Sequence, residues 1–287
     1  MWFFRIFFSL LFFNTLANEN GKEVCTLLSI CDNLVALKYE VAAIREEQKR
    51  QAVILEGLDK KFDLCVPNSY PASCAESSKS KLVIRVLEYS ENPFEVTCDQ
   101  ESHGGGWTVV MRRNDGSQDF FLEWKNYKDG FGQLDNEFFM GMDKLHAMTA
   151  SEPQELLVLL EDYKDDNRYQ LYDNFKIGPE SNNYTLESLG SSNGDAGDSL
   201  IYHLGMQFST KDRKNDIDPT THCAELFTGA WWYRACHKSH LFGMFGDNWS
   251  GRGIVWDTFG YNTSYLPYNL KRAAMMIRPK RISSNRS

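Results

Sequence analysis

Hydrophobic and polar positions change rhythm three times along the chain. Arg5 is followed by an apolar run from Ile6 to Phe13, then by Thr15-Leu16-Ala17. A charged start, a short apolar stretch and small residues at the cleavage positions predict a signal peptide over residues 1–17, cut after Ala17. The run is too short to span a bilayer, and no later stretch of about 18 apolar residues replaces it. Residues 18–31 are a short segment holding Cys25 and Cys31. Over residues 32–65, Leu34, Leu37, Val41, Ile44, Gln48, Gln51, Leu55, Leu58, Phe62 and Cys65 recur at spacings of three and four. This unbroken a/d register, free of Pro, predicts a coiled-coil helix. Glu40 and Arg45 fall at g and the following e, which suits parallel pairing, while Gln48 and Gln51 place polar groups in the seam. The alternative is a single helix lying on the globular part.

Residues 66–69 read as a linker, with Pro67 and Pro71 around Asn68 and Ser69. From residue 70 to 282 the rhythm is that of short elements. Lys81–Leu87, Glu95–Cys98, Trp107–Met111 and Leu156–Leu160 are predicted strands, and Asp135–Leu145 and Ala224–Phe227 predicted helices. Gly-rich loops dominate after residue 187. The mixture predicts an α+β domain.

Composition sharpens this picture. Hydrophobic residues are 42% of the 287-residue chain and aromatics 14%, with seven Trp, so an aromatic-rich, strand-heavy core is expected. A net charge of −8 without a long basic run argues against nucleic acid as a partner. Secretion makes disulfides the default state of the seven cysteines, and an odd count implies a bridge between chains. Four Asn-x-Ser/Thr sequons, at Asn183, Asn248, Asn262 and Asn285, are glycosylation candidates. Catalytic chemistry finds no footing. Gly104-Gly105-Gly106 lacks the Lys-Ser/Thr of a phosphate loop, and no His-Glu-x-x-His is present. The acidic residues Glu161-Asp162 and Asp165-Asp166 read as a turn between strands. His222-Cys223 with Cys236-His237 has zinc-ligand types, but in an oxidising compartment a disulfide is the stronger reading. The protein reads as a binding protein, not an enzyme.

One series of blocks is more specific. Gly104-Gly105-Gly106-Trp107-Thr108-Val109-Val110 leads to Arg112-Arg113-Asn114-Asp115-Gly116-Ser117 and Asp119-Phe120. Trp124, Tyr127-Lys128, Gly130-Phe131-Gly132 and Glu137-Phe138-Phe139-Met140-Gly141 follow. Phe208-Ser209-Thr210-Lys211-Asp212, Cys223-Ala224-Glu225, Gly229-Ala230-Trp231-Trp232-Tyr233 and Cys236-His237 come next, and Trp256 and Met276-Ile277-Arg278-Pro279 close the series. In this order the blocks resemble the fibrinogen C-terminal domain family over residues 70–280.

The resemblance implies a single fibrinogen C-terminal-like α+β domain with bridges Cys74–Cys98 and Cys223–Cys236. Cys25, Cys31 and Cys65 then remain as candidates for inter-chain bridges. It also implies a calcium loop, here Asp212-Arg213-Lys214-Asn215-Asp216-Ile217-Asp218. Asp212 and Asp216 match the family's ligands, Lys214 replaces a ligand Asp with a repelling ammonium, and Asp218 is the compensating candidate. It further implies an acetyl-binding pocket beside the second bridge, formed by His237, Phe227, Ala235, Cys236 and Ser250. Trp231, Trp232 and Tyr233 are retained beside it. Phe227 and Ser250 stand where some of these lectins carry Tyr, and the Ala235–Cys236 bond corresponds to a cis peptide in some relatives. Signal peptide, Cys-flanked coiled coil and fibrinogen-like head together resemble ficolin, tachylectin and angiopoietin architectures. The leading expectation is an extracellular, homo-oligomeric, lectin-like recognition molecule for acetylated carbohydrate. The alternative is a ligand for a cell-surface receptor protein. Neither nucleic acid nor a membrane span is expected.

Overall fold

The structure is a computed structural model. It describes residues 21–65, 70–87, 89–90, 92–247, 249, 251–260 and 269–280, with the side chains of the first helix described over 33–55. The predicted signal peptide, the linker, Ser250, Asn248, Asn262 and Asn285 lie outside the described residues, as do the side chains of Cys25, Cys31 and Cys65. The chain divides into two units, residues 1–69 and 70–287.

The first unit is one helix, α1 (Gly21–Cys65). It starts earlier than the heptad pattern predicts and runs through the segment holding Cys25 and Cys31. After Gly21 no Gly or Pro interrupts the sequence until Gly57, so nothing stops the helix from extending. The seam residues Leu34, Leu37, Val41, Ile44 and Leu55 are 42–61% exposed. Among the described residues, no helix is long and apolar enough to cross a membrane.

The second unit is built on strands β1 (Lys81–Ile84), β2 (Phe94–Asp99), β3 (Trp107–Arg113), β4 (Phe131–Gly132), β5 (Phe138–Phe139) and β6 (Gln154–Glu161). It continues with β7 (Asn167–Ile177), β8 (Leu186–Ser188), β9 (Ser192–Gly194), β10 (Ser239–His240), β11 (Val255–Trp256) and β12 (Arg272–Pro279). The main sheet runs β1-β2-β3-β12-β6-β7-β8, with β5 beside β3, β4 beside β5 and β9 beside β7; β10 and β11 pair separately. Every pairing is antiparallel. The last strand therefore sits at the centre, with Met275 opposite Met111 on one side and Val158 on the other. β3 and β6 read as apolar runs rather than strict alternations because most of their residues are buried.

Helices α2 (Trp124–Asp129), α3 (Met142–Ser151) and α4 (Cys223–Leu226) complete the unit. The predicted helix over Asp135–Leu145 is corrected. Phe138 and Phe139 pair with Arg112 and Met111 as β5, and α3 starts only at Met142. Gly141 between them has φ 105, a conformation that ends one element and starts the next. The strand predicted to Leu87 ends at Ile84.

Both expected intradomain bridges are present, Cys74–Cys98 and Cys223–Cys236. A buried clasp joins the sheet to the later loops. Arg113 Nη1 donates to the carbonyls of Leu241 at 2.9 Å and Gly243 at 2.7 Å. Burial pushes the Arg113 guanidinium down to about 10, and the nearby Glu137 charge opposes that shift. Glu137 in turn accepts from the backbone N–H groups of Asn114, Asp115 and Gln118. The clasp fixes the 241–243 segment that backs the candidate site.

Candidate functional site

α4 carries Cys223 into the core, where it bridges to Cys236 with a Cα–Cα separation of 5.7 Å. The bridge anchors the segment running from Phe227 to His237. Within that segment Trp231, Trp232 and Tyr233 are 0% exposed and belong to the core rather than to a pocket wall. Trp232 Nε1 donates to the Tyr184 carbonyl at 2.7 Å. The Ala235–Cys236 peptide bond is cis.

The structure brings His237, Phe227 and Cys236 together. The His237 ring stands edge-on to Phe227, with centroids 4.5 Å apart, and faces His240 at 5.2 Å. His237 is half-buried, yet both ring nitrogens are buried and lack a partner in hydrogen-bonding geometry. Burial pushes this imidazole down to about 4, with the Gly251 backbone and the Asp257 charge opposing. It is therefore neutral at physiological pH, with one N–H donor and one acceptor nitrogen.

Gly251 closes the site from the far side. A Cβ placed there would lie 2.8 Å from the Phe227 ring and 3.1 Å from His237 Nε2, so only Gly permits the approach. Next to it, the Arg252 guanidinium lies 4.1 Å over the Trp249 ring, and Arg252 Nε donates to the Leu226 carbonyl at 3.0 Å. Trp249 is 59% exposed. Sequence reasoning missed Trp249, Gly251 and Arg252. The available signal was a Trp in a polar, Gly-rich stretch, where an apolar ring has no core to enter.

Each candidate metal residue is already engaged by donors of the protein itself. Asp212 Oδ1 accepts from Thr210 Oγ1 at 2.6 Å and from the Trp124 N–H at 2.8 Å. Asp218 Oδ1 accepts from the N–H groups of Thr220 at 3.0 Å and Thr221 at 2.9 Å. Those two contacts hold the Asp218 carboxyl below its usual range. Asp216 is 9% exposed, and its Oδ1 faces Lys214 Nζ at 2.5 Å. Calcium wants six to eight oxygens at about 2.3–2.6 Å. With Lys214 standing against Asp216, these residues do not fit a calcium ion. Among the described residues, Asp218 also lies near Cys223 and Cys236, but both sulfurs are in the bridge and provide no thiolate for zinc.

Asn183 is half-buried, and its amide donates to Gln207 Oε1 at 3.1 Å. The sequence also holds one spacing of catalytic type. Gly190-Ser191-Ser192-Asn193-Gly194 has the Gly-x-Ser-x-Gly spacing of a nucleophile elbow. Ser192 instead opens β9 and bonds Asp198 at 3.0 Å, and no helix follows directly. The strand–turn–helix context that exposes such a serine is missing.

The family model for the globular domain at the C-terminal end of the fibrinogen beta and gamma chains matches residues 71–280. This protein is 36% identical to fibrinogen C domain-containing protein 1-A of Xenopus laevis, over 93% of its own length and 62% of that protein. It is 45% identical to ryncolin-4 of Cerberus rynchops, over 69% of its own length and 56% of that protein. It thus spans less than two thirds of the length of either relative. The solved fibrinogen-like globe domain of human ANGPTL6 superposes with a TM-score of 0.68 at 38% identity, covering 75% of this protein and 98% of that domain.

Proposed function

The protein belongs to the fibrinogen C-terminal globular domain family, and we propose that it is a secreted, oligomeric lectin whose heads bind acetylated sugars beside the Cys223–Cys236 bridge. One observation carries this reading: the neutral His237 imidazole, both nitrogens buried with no partner in good hydrogen-bonding geometry, edge-on to Phe227 at 4.5 Å. A buried polar group left unpaired costs about 1–3 kcal/mol, so its retention next to an apolar wall points to a role in binding. The imidazole N–H suits an acetyl oxygen, and the Phe227 ring suits the acetyl methyl. Access to the ring nitrogens involves the Gly251 backbone, which stands against them without a side chain.

The remaining features fit that use. The apolar leader and the sequons support secretion. The exposed a/d stripe of α1 supports self-association, with Cys25, Cys31 and Cys65 available to lock chains together. Clustering weak heads multiplies their apparent affinity by about 10²–10⁴ on a surface bearing many copies of the ligand.

The test is retention of purified protein on an acetylated-sugar resin with elution by the free sugar. Wild type is expected to be retained and released, and His237→Ala to pass through unretained. Equal retention of both proteins would remove His237 from the site.

A second reading, a ligand for a receptor protein, rests on a different observation. Trp249 is 59% exposed with Arg252 stacked on it, and Met244 nearby in sequence is 46% exposed. Trp, Arg and Met are enriched at protein interfaces. Cell binding lost in Trp249→Ala but unaffected by free acetylated sugar would favour this reading.

A further inference from the structure

Three loop oxygens converge on one point, and a cation of the protein's own occupies it. Lys214 Nζ lies 2.5 Å from Asp216 Oδ1, 2.7 Å from the Asp218 carbonyl and 3.2 Å from the Asp216 carbonyl. An ammonium has three N–H donors, and here each has an acceptor. The Asp216 side chain is 0% exposed, so its charge needs a partner, and Lys214 supplies one.

The same carboxylate reaches onward. Asp216 Oδ1 also accepts from the Asp218 N–H at 3.1 Å, and Asp216 Oδ2 accepts from the Cys223 N–H at 3.2 Å. Cys223 starts α4 and holds the bridge to Cys236, which precedes His237. Asn215 closes the loop from the other side, with its N–H to Ser209 Oγ at 2.9 Å and its amide to the Phe208 carbonyl at 2.7 Å. Each oxygen named here is already engaged by a donor of the protein itself.

We propose that the Lys214 ammonium is a built-in replacement for a divalent cation, so that the Asp212–Cys223 loop is ordered without metal. A covalently attached cation cannot dissociate. The loop therefore keeps its shape whatever the surrounding calcium concentration, and its order is independent of which ligand the head binds.

The experiment is thermal unfolding of the purified full-length protein in millimolar calcium and in excess chelator, with a calorimetric calcium titration alongside. Wild type is expected to unfold at the same midpoint in both, within about 1 °C, and to give no binding heat. Lys214→Met, which keeps the stem and removes the charge, is expected to unfold roughly 10 °C lower in both buffers, because it leaves a buried carboxylate unpaired. Lys214→Asp is expected to unfold as low in chelator and to recover at least part of the loss in calcium. A wild-type midpoint that rises with calcium, or a Lys214→Met midpoint equal to wild type, would overturn the proposal. Should neither variant fold, the wild-type comparison decides: calcium binding heat or a chelator shift refutes it, and their absence upholds it.

Discussion

Three histidines near the bridge are kept neutral by burial. His203 is pushed down to about 3, His237 to about 4, and His240 well below its ordinary value. His203 is fully partnered: its Nδ1 donates to the Trp232 carbonyl at 2.7 Å, and its Nε2 accepts from the N–H groups of Lys238 and Ser239. His240 Nε2 meets Tyr233 Oη at 2.8 Å. Each imidazole binds a proton more readily in the unfolded state, near its ordinary value of about 6.5. Stability is therefore fully present above that value and falls as the pH drops towards the folded values. Each histidine contributes a slope of up to about 1.4 kcal/mol per pH unit. Denaturant midpoints between pH 6.5 and 5 are expected to fall steeply, and His237→Gln to reduce the slope by about a third. A flat profile would mean that these rings take up protons as readily in the fold as in the unfolded protein. Gly251 is as specific a position. With φ +84 and the Phe227 ring in the way, Gly251→Ala is expected to cost about 1–3 kcal/mol in urea unfolding. A wild-type midpoint would show that the loop gives way freely.

At the level of elements, legibility followed the kind of burial. β3 and β6 were visible because strands buried nearly throughout leave uninterrupted apolar runs. The eleven-residue β7 has no such run, since its Tyr, Leu, Phe and Ile alternate with polar residues, and the acidic turn before it was its clearest marker. The Asp135–Leu145 segment misled because its apolar residues fall at helical intervals. Cross-strand pairing with β3 and the Gly141 backbone overrode that periodicity. α1 was legible in type but not in its start, because a heptad pattern marks a seam and not a terminus. Its exposed stripe gives a prediction of its own. Wild type is expected to sediment as an oligomer, and Leu37→Asp with Ile44→Asp to sediment as a monomer with head stability unchanged. A double variant that still associates would place self-association elsewhere.

For the whole molecule, the disulfides, the family and the Phe227–His237 pair were legible in linear blocks, whereas what closes around that pair was not. Gly251 comes from a later loop to stand against both rings, and the clasp from Arg113 to Leu241 and Gly243 spans more than a hundred residues. Such juxtapositions follow from topology, which one sequence's periodicity does not report. The same topology places β12 between β3 and β6. A protein ending before Arg272 is expected to show no cooperative unfolding transition, whereas one ending after Lys280 is expected to unfold like wild type. A cooperative melt of the shorter protein would disprove the requirement. During synthesis, then, the emerging polypeptide must carry two half-sheets with open inner edges until residues 272–279 arrive to join them. An interrupted message for this protein would release no miniature head, only a pair of sticky edges for the cell's quality control to catch.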